Sequence, residues 1–189
     1  CYSIRGIEVV AATNISSTVG NLFNVVYFSM GAAIAIMCGQ HMGAGEPEKA
    51  KTTVWRLLFL SICSCLVVGS VLLSVSTLIP QIYNTTQTVR EITTHLLWVL
   101  ALFMPFNAFC HGCYFAMRSG GKTIITMIFD SGFIWVISCP LAYVIAHHTN
   151  LGIIPFYIAI QSVEAFKSII SGTLIKKGFW INNIVENKE

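Results

Sequence analysis

Two long apolar runs are separated by Gly39-Gln40-His41-Met42-Gly43-Ala44-Gly45, followed by Glu46-Pro47-Glu48-Lys49-Ala50-Lys51. Glycine accepts the left-handed backbone angles at which helices end, and proline suits the first turn of a helix. The glutamates next to that proline would lie at the positive end of the helix dipole. The stretch therefore predicts that one helix ends among the glycines and that the next begins near Pro47.

The chain has the composition of a membrane protein, with 55% hydrophobic and only 10% charged residues. Soluble domains carry about 25% charged residues, and soluble bundles show charged outer helix faces that these apolar runs lack. Crossing a hydrocarbon core of roughly 30 Å takes about 20 helical residues. Five stretches are long enough, near Val9–Cys38, Thr53–Ile79, Ile92–Met117, Thr123–Ala146 and Leu151–Leu174. The sequence therefore predicts an all-α membrane protein, with a transmembrane bundle over residues 1–175 and a cytoplasmic tail over residues 176–189.

The basic residues are unevenly distributed between the two sides of this predicted bundle. One side holds only Arg5 and Arg90, whereas the other holds Lys49, Lys51, Arg56, Arg118, Lys122, Lys176, Lys177 and Lys188. Short loops rich in lysine and arginine stay in the cytoplasm. We therefore expect a multi-pass protein with an extracytoplasmic N-terminus and a cytoplasmic C-terminus.

Two local motifs that suggest other chemistry have the wrong spacing. Gly120-Gly121-Lys122-Thr123 looks like the end of a phosphate-binding loop, but Ala116 stands where that loop requires its first glycine. Cys110-His111-Gly112-Cys113 lacks the histidine after the second cysteine that c-type haem attachment needs. The cysteines are better interpreted as small packing residues, and we expect no metal site, nucleotide site or nucleic-acid partner.

Polar residues recur at helical spacing inside the apolar spans. The stripes comprise Asn14, Thr18, Asn21 and Asn24 on the first span; Asn107, His111, Tyr114 and Arg118 on the third; and Gln161, Glu164, Ser168 and Ser171 on the fifth, with Lys167 beside Glu164 and with Asp130 on the fourth. A charged side chain at the centre of a bilayer costs roughly 2.5–3.5 kcal/mol on insertion scales. We therefore expect these residues to face a shared interior that forms a substrate or ion pathway.

Structural roles for the same residues remain open. Glu164 and Lys167 are spaced for an ion pair, Asp130 can accept hydrogen bonds from neighbouring helices, and His111 can be a packing residue. The asparagines can hold the bundle together by amide hydrogen bonds between helices. Since Lys167 would neutralise Glu164, Asp130 is the better candidate for direct contact with a cation or proton.

Two segments resemble the signatures of the MATE family of multidrug and toxin extrusion transporters. The first runs from Val10-Ala11-Ala12-Thr13-Asn14-Ile15 through Lys51, and the second is Arg118-Ser119-Gly120-Gly121-Lys122-Thr123. The resemblance marks as cytoplasmic loop motifs the residues Gly39, Gln40, Gly43, Gly45, Arg118, Gly120 and Gly121. It implies a fold of two homologous six-helix lobes, of which these five spans are similar to the second lobe without its first helix.

The resemblance also implies a function. Proteins similar to this one export small cationic amphipathic molecules across the plasma membrane in exchange for Na⁺ or H⁺, by alternating access between two lobes. The chain would then be a fragment that needs the missing N-terminal lobe as its partner, with no cofactor beyond the coupling ion and no catalytic step. One departure is that Asn107 stands where sodium-coupled members carry an acidic residue, which places the coupling site in doubt.

Two other functions are weighed against antiport. A flippase of lipid-linked saccharides with a related fold would need a strongly cationic cavity for pyrophosphate, whereas the mapped interior has two acids against Lys167. An intramembrane enzyme would need a cluster of His, Asp or Ser at one interface, which the sequence does not suggest. The balance of charge favours the exporter of cations.

Overall fold

The computed structural model describes residues 6–121, 123–148, 152–178 and 180–181, and all regular structure in these ranges is helical. The helices are α1 (Ile7–Gly43), α2 (Pro47–Val75), the short α3 (Ile79–Ile82), α4 (Gln87–Ser119), α5 (Thr123–Phe133), α6 (Cys139–His148) and α7 (Ile153–Lys176), and a π-helical turn (Ile134–Ser138) joins α5 to α6. Lys122 of the second loop motif, Leu151 at the predicted start of the fifth span, and residues 182–189 of the predicted tail lie outside the described residues.

Five helical segments are long and apolar enough to cross a membrane: Ile7–Gly43, Pro47–Val75, Gln87–Ser119, Thr126–Ile145 and Ile153–Lys176. Each overlaps one of the five predicted spans, so the predicted all-α membrane fold is confirmed. The first and third spans, α1 and α4, extend beyond the predicted stretches at both ends, whereas α2 begins before the predicted Thr53 and ends at Val75, before the predicted Ile79.

The turn after α1 corrects the prediction for its glycines. Gly39 and Gly43 both lie within α1, and only Gly45 takes a left-handed angle, with φ of 73°. The N–H of Gly45 donates to the carbonyl of Met42 and that of Glu46 to the carbonyl of His41, at 3.2 and 2.9 Å. These two bonds form a Schellman motif, which satisfies the last carbonyls of the helix. Gln40 is likewise helical and exposed rather than part of the turn.

The other predictions around this turn are confirmed. Pro47 begins α2, and Glu48 lies in its first turn. The carboxylate of Glu46 accepts a hydrogen bond from Lys49 Nζ at 2.6 Å and lies 3.5 Å from His41 Nδ1. The hydrogen bond from Lys49 is the main reason that the pKa of Glu46 lies below its ordinary value.

The centre of the bundle is α4, which packs against α1, α2 and α7. In its membrane segment 56% of residues are buried, against 11–28% in the other four spans. The span that contains α5, the π turn and α6 lies at the periphery, with the smallest buried share. Pro140 follows the π turn, in which Cys139 N–H donates to the carbonyl of Ile134, five residues earlier. Because proline has no N–H and clashes with the carbonyl four residues before it, we attribute the wider turn to Pro140.

Two ends of the bundle are distinguished by charge. The end with Lys49, Lys51, Arg56 and Arg118 is called the basic end, and the end with α3 and the start of α4 is called the α3 end. At the basic end, Trp180 is only 1% exposed, and its backbone carbonyl occupies the space that a Cβ atom on Gly120 would need. The chain after α7 therefore packs onto the turn between α4 and α5.

Candidate functional site

Three ionisable side chains meet inside the bundle, and we call Asp130, Glu164 and Lys167 the charge cluster. Lys167 Nζ on α7 donates a hydrogen bond to Asp130 Oδ1 on α5 at 2.5 Å and a longer one to Glu164 Oε2, one turn earlier on α7, at 3.5 Å. The Lys167 side chain is 3% exposed, whereas those of Asp130 and Glu164 are 36% and 29% exposed. The ammonium group is thus enclosed while both carboxylates stay accessible.

This arrangement corrects one inference from the sequence. The predicted contact between Glu164 and Lys167 is present, but Asp130 is the closer partner of the lysine. Asp130 therefore shares the lysine that helical spacing had paired with Glu164 alone. Helical spacing can indicate the contact within α7, but it gives no information on a contact between residues 37 positions apart on different helices.

Aromatic rings surround the buried ammonium group. Lys167 Nζ lies 5.1 Å from the ring centroid of Tyr114 on α4 and 5.7 Å from that of Phe133 on α5. Both distances are within the roughly 6 Å at which a cation is attracted to a ring face. Phe133 was not predicted as a site residue, although its position three residues after Asp130 places it on the same helix face.

The backbone around Lys167 is held by small polar groups. Ser171 Oγ donates to the carbonyl of Lys167 at 3.0 Å and lies 3.8 Å from the sulfur of Cys110 on α4. Ser171 and Cys110 are both buried. This contact ties α7 to the central helix one turn from the lysine and helps to fix the position of the charge cluster.

His111 lies in an aromatic group that connects α1 to the charge cluster. Its ring stacks on Tyr27 with centroids 5.0 Å apart, and it meets the edges of Phe28 and Tyr114 at 5.1 and 6.2 Å. Tyr114 in turn faces Lys167. The packing role considered for His111 is therefore present, and the Tyr114 ring lies between His111 and the ammonium group of Lys167.

The predicted amide residues are not gathered at this cluster. Asn14 and Asn21 are exposed on α1, and Asn107 and Gln161 are partly buried on α4 and α7. No hydrogen bond from these four side-chain amides to another described residue is present. The structure thus brings together Asp130, Glu164 and Lys167, with His111 nearby, and leaves an open row of amides on α1.

The loop-motif residues lie at the basic end, apart from the charge cluster. Arg118 is exposed in the last turn of α4, with its guanidinium carbon 6.0 Å from the Phe115 ring centroid. Gly121 takes a left-handed φ of 84°, and Gly120 is needed for close approach of the chain at Trp180. A Cβ atom on Gly39 or Gly43 would meet nothing within 4 Å, so this pair makes no close helix contact within the described chain.

The described residues include no group of three or more His, Cys, Asp or Glu side chains that could hold a metal ion. The free thiols of Cys110 and Cys113 belong to the packed interior. What the charge cluster offers chemically is one ammonium group, two accessible carboxylates and a wall of aromatic rings, which suits binding of a monovalent cation or a proton better than bond-breaking chemistry.

Comparison with known proteins agrees with the resemblance of the loop motifs. The family model MatE matches residues 1–144. The chain is 24% identical over 186 residues to the probable multidrug resistance protein NorM of Thermotoga maritima, covering 98% of this chain and 40% of that protein. It is 26% identical over 159 residues to multidrug and toxin extrusion protein 1 of Xenopus tropicalis, covering 82% of this chain and 28% of that protein.

A plant relative extends the comparison. Protein DETOXIFICATION 35 of Arabidopsis thaliana is 18% identical over 180 residues, which cover 95% of this chain and 37% of that protein. The chain thus spans 28–40% of the length of these three relatives. Because the family model covers well over half of the chain, this five-span helical bundle belongs to the MATE family of multidrug and toxin extrusion transporters.

Proposed function

We propose that the protein to which this chain belongs is an efflux antiporter of the plasma membrane. It exports small cationic amphipathic molecules in exchange for Na⁺ or H⁺, with its C-terminus in the cytoplasm. In this proposal residues 1–175 form the C-terminal lobe without its first helix, residues 176–189 form a cytoplasmic tail, and an N-terminal lobe completes the transport pathway. The names of the relatives, which refer to multidrug resistance and toxin extrusion, support export of foreign small molecules.

The observation that carries the proposal is the charge balance of the charge cluster. Two carboxylates surround one ammonium group, which leaves one excess negative charge within an apolar bundle. An uncompensated charge in a membrane interior is costly, so the cluster favours uptake of one further proton, Na⁺ or organic cation. Because Asp130 and Glu164 are accessible and Lys167 is enclosed, an incoming cation meets the carboxylates first.

Exchange then follows from competition for this negative charge. A ligand that binds one access state better than the other shifts the equilibrium between them, and displacement of one cation by another couples their movements. Each elementary charge that crosses a potential of 100 mV supplies about 2.3 kcal/mol, so an inward ion gradient can drive export of a drug. The aromatic rings near Lys167 suit the apolar parts of amphipathic cations.

The open amides of α1 fit the same proposal. Asn14 and Asn21 are exposed and make no hydrogen bond to another described side chain, although amides are costly in contact with lipid. We assign this face, with Asn107, Gln161 and His111, to the pathway between the two lobes. The excess negative charge also argues against the alternative of a flippase for lipid-linked saccharides, since a pyrophosphate would be repelled.

The test is dye export by the full-length protein in inverted membrane vesicles. Asp130→Asn keeps the size of the side chain and removes its charge, and we expect it to abolish or strongly weaken efflux of a cationic dye. Glu164→Gln should also weaken efflux, because the longer contact of Glu164 with Lys167 leaves its charge less neutralised than that of Asp130. Glu48→Gln is the matched control, since Glu48 is an exposed acid paired with Lys51 at the basic end.

Efflux is normalised to the amount of protein in the vesicles, so that loss of expression is not read as loss of transport. Unchanged efflux in Asp130→Asn and Glu164→Gln would assign both carboxylates to helix packing. Binding and transport would then have to depend on residues of the other lobe.

A further inference from the structure

A second polar site lies at the α3 end, near the start of α4, whereas the charge cluster packs against Tyr114 near the other end of that helix. A pocket of about 350 Å³ opens between the end of α2, α3 and the first turns of α4. The residues that matter here are Gln81, Arg90, Glu91, Thr94, His95 and Trp98. None of them belongs to the transport pathway proposed above.

The pocket presents one positive and one negative charge that are not paired with each other. The Arg90 guanidinium donates through Nη2 to the carbonyl of Tyr83 at 3.3 Å, and its buried Nε atom has no hydrogen-bond partner among the described residues. Glu91 Oε1 accepts a hydrogen bond from Gln87 Nε2 at 3.1 Å. No ion pair of Arg90 or Glu91 occurs within the described chain. Both groups can therefore accept a further ligand.

The position of the pocket is that of a membrane interface. Along α4 the polar residues of the first turns give way to buried Leu96 and Leu97. Trp98 is the pocket residue furthest along α4 from the α3 end. It is 44% exposed and donates through Nε1 to Ser76 Oγ at 2.8 Å. Tryptophan with an anchored N–H and an exposed ring is typical of the level of lipid headgroups.

Apolar side chains continue from the pocket toward lipid. Leu78 and Ile82, next in sequence to residues that line the pocket, are 58% and 83% exposed. A ligand that fits the pocket and these neighbours has a polar head with both charges and an apolar tail. Arginine is the preferred partner of a phosphate, and a carboxylate beside an aromatic ring suits an ammonium group.

We propose that this pocket binds the zwitterionic headgroup of an aminophospholipid, with the phosphate on Arg90, the ammonium on Glu91 and the rim of the headgroup against Trp98. Bound there, the lipid bridges α2 and α4 at the α3 end. A zwitterion should be preferred over an anionic lipid, because an anionic lipid with a glycerol headgroup offers the same phosphate to Arg90 but no cation to Glu91.

The experiment is native mass spectrometry of the delipidated full-length protein, titrated with phosphatidylethanolamine, phosphatidylglycerol or phosphatidylcholine of the same acyl chains. We expect the ethanolamine lipid to bind about tenfold more tightly than the other two, since one charge-assisted hydrogen bond is worth about that factor. Glu91→Gln should remove this preference, whereas Arg90→Gln should weaken binding of all three lipids, because each of them carries the phosphate. Arg56→Gln, an exposed arginine at the basic end, is the control and should retain the preference.

Arg90→Gln and Glu91→Gln remove opposite charges, so the lipid affinities of one variant can still be interpreted if the other does not fold. Circular dichroism shows whether each variant is folded. Equal affinity of the unsubstituted protein for the three lipids, an unchanged preference in Glu91→Gln, or unchanged affinities in Arg90→Gln would overturn the proposal. Full competition by soluble phosphoethanolamine at an equal concentration would also overturn it, because the ligand would then be a water-soluble amino phosphate rather than a lipid. Dye efflux is a separate readout, so either proposal can fail without the other.

Discussion

Removal of either partner in the contact between Asp130 and Lys167 should destabilise the bundle, and removal of both should cost less than the sum. The variants are Asp130→Asn, Lys167→Met and the double substitution. Lys167 is buried, and Glu164, at 3.5 Å, is the ion-pair partner that it keeps among the described residues when the aspartate charge is lost. Loss of the lysine instead leaves two carboxylates near each other without a cation.

The distances set the order of the effects. At an effective dielectric constant of about 20, the attraction between unit charges is about 7 kcal/mol at 2.5 Å and about 5 kcal/mol at 3.5 Å, before desolvation is subtracted. Breaking a fully buried pair costs about 3–5 kcal/mol, and an exposed pair contributes about 0–1 kcal/mol. Since Asp130 is about one-third exposed, we expect Asp130→Asn to cost about 2 kcal/mol.

The other variants follow from the same reasoning. Glu164→Gln should cost less, about 1 kcal/mol, because its contact with Lys167 is longer. Lys167→Met should cost about 2–3 kcal/mol, and the double variant should show a coupling energy of at least about 1 kcal/mol.

The assay is unfolding of the full-length protein in mixed micelles with increasing dodecyl sulfate, followed by far-ultraviolet circular dichroism. Free energies that add within about 0.5 kcal/mol would show that Asp130 and Lys167 do not interact. A larger loss for Glu164→Gln than for Asp130→Asn would show that the lysine is held mainly within α7, which would refute the geometry on which the proposed cation site depends.

Three further predictions concern the ends of the bundle. Gly120→Ala should destabilise the protein by about 1–3 kcal/mol, because the chain after α7 fills the space of the new methyl group. Gly39→Ala, at an open helix position, should be neutral or stabilising by up to about 1 kcal/mol. Thermal unfolding that ranks the two variants in the reverse order would contradict this packing. The carboxyl of Glu46 should titrate below its ordinary pKa of 4.5. Its pairing with lysine should therefore persist above pH 4.5 and be lost as the pH falls through the lowered pKa. Carbon-13 NMR of labelled glutamate measures this pKa, and a value of 4.5 or higher would count against the pairing. Cysteines introduced within Asn84–Thr86 should react with an impermeant reagent on intact cells and a cysteine at Ser119 only after permeabilisation, while the opposite pattern would reverse the proposed orientation.

Local features of the sequence were sufficient to predict the helices. Apolar length placed the five spans, and the glycine-rich stretch and Pro47 marked the region where α1 ends and α2 begins. The sequence could not show which of the neighbouring glycines ends the helix. Gly39 and Gly43 are compatible with helix geometry, and the choice among them depends on which carbonyls the following N–H groups can reach.

Contacts between helices were harder to predict from the sequence. The polar stripes identified Asp130, Glu164 and Lys167, but the proximity of Asp130 to Lys167 depends on how α5 lies against α7. The same is true of Phe133 over the ammonium group. The pocket at Arg90 and Glu91 was not predicted, because neighbouring charges at a helix start usually face solvent, and the pocket beside them depends on where α2 and α3 lie.

If one excess negative charge in the charge cluster couples drug and ion, a fixed number of cations must be displaced when a drug binds, and that number can be counted. Full-length protein in detergent, in weakly buffered solution with a known Na⁺ activity, is titrated with ethidium while a pH electrode and a sodium electrode record release. The proposal predicts one proton or one Na⁺ released per bound ethidium, matching the single excess charge of two carboxylates around Lys167. It predicts no release from the double variant Asp130→Asn, Glu164→Gln. Release of the same ion in the same amount from that variant would contradict the claim.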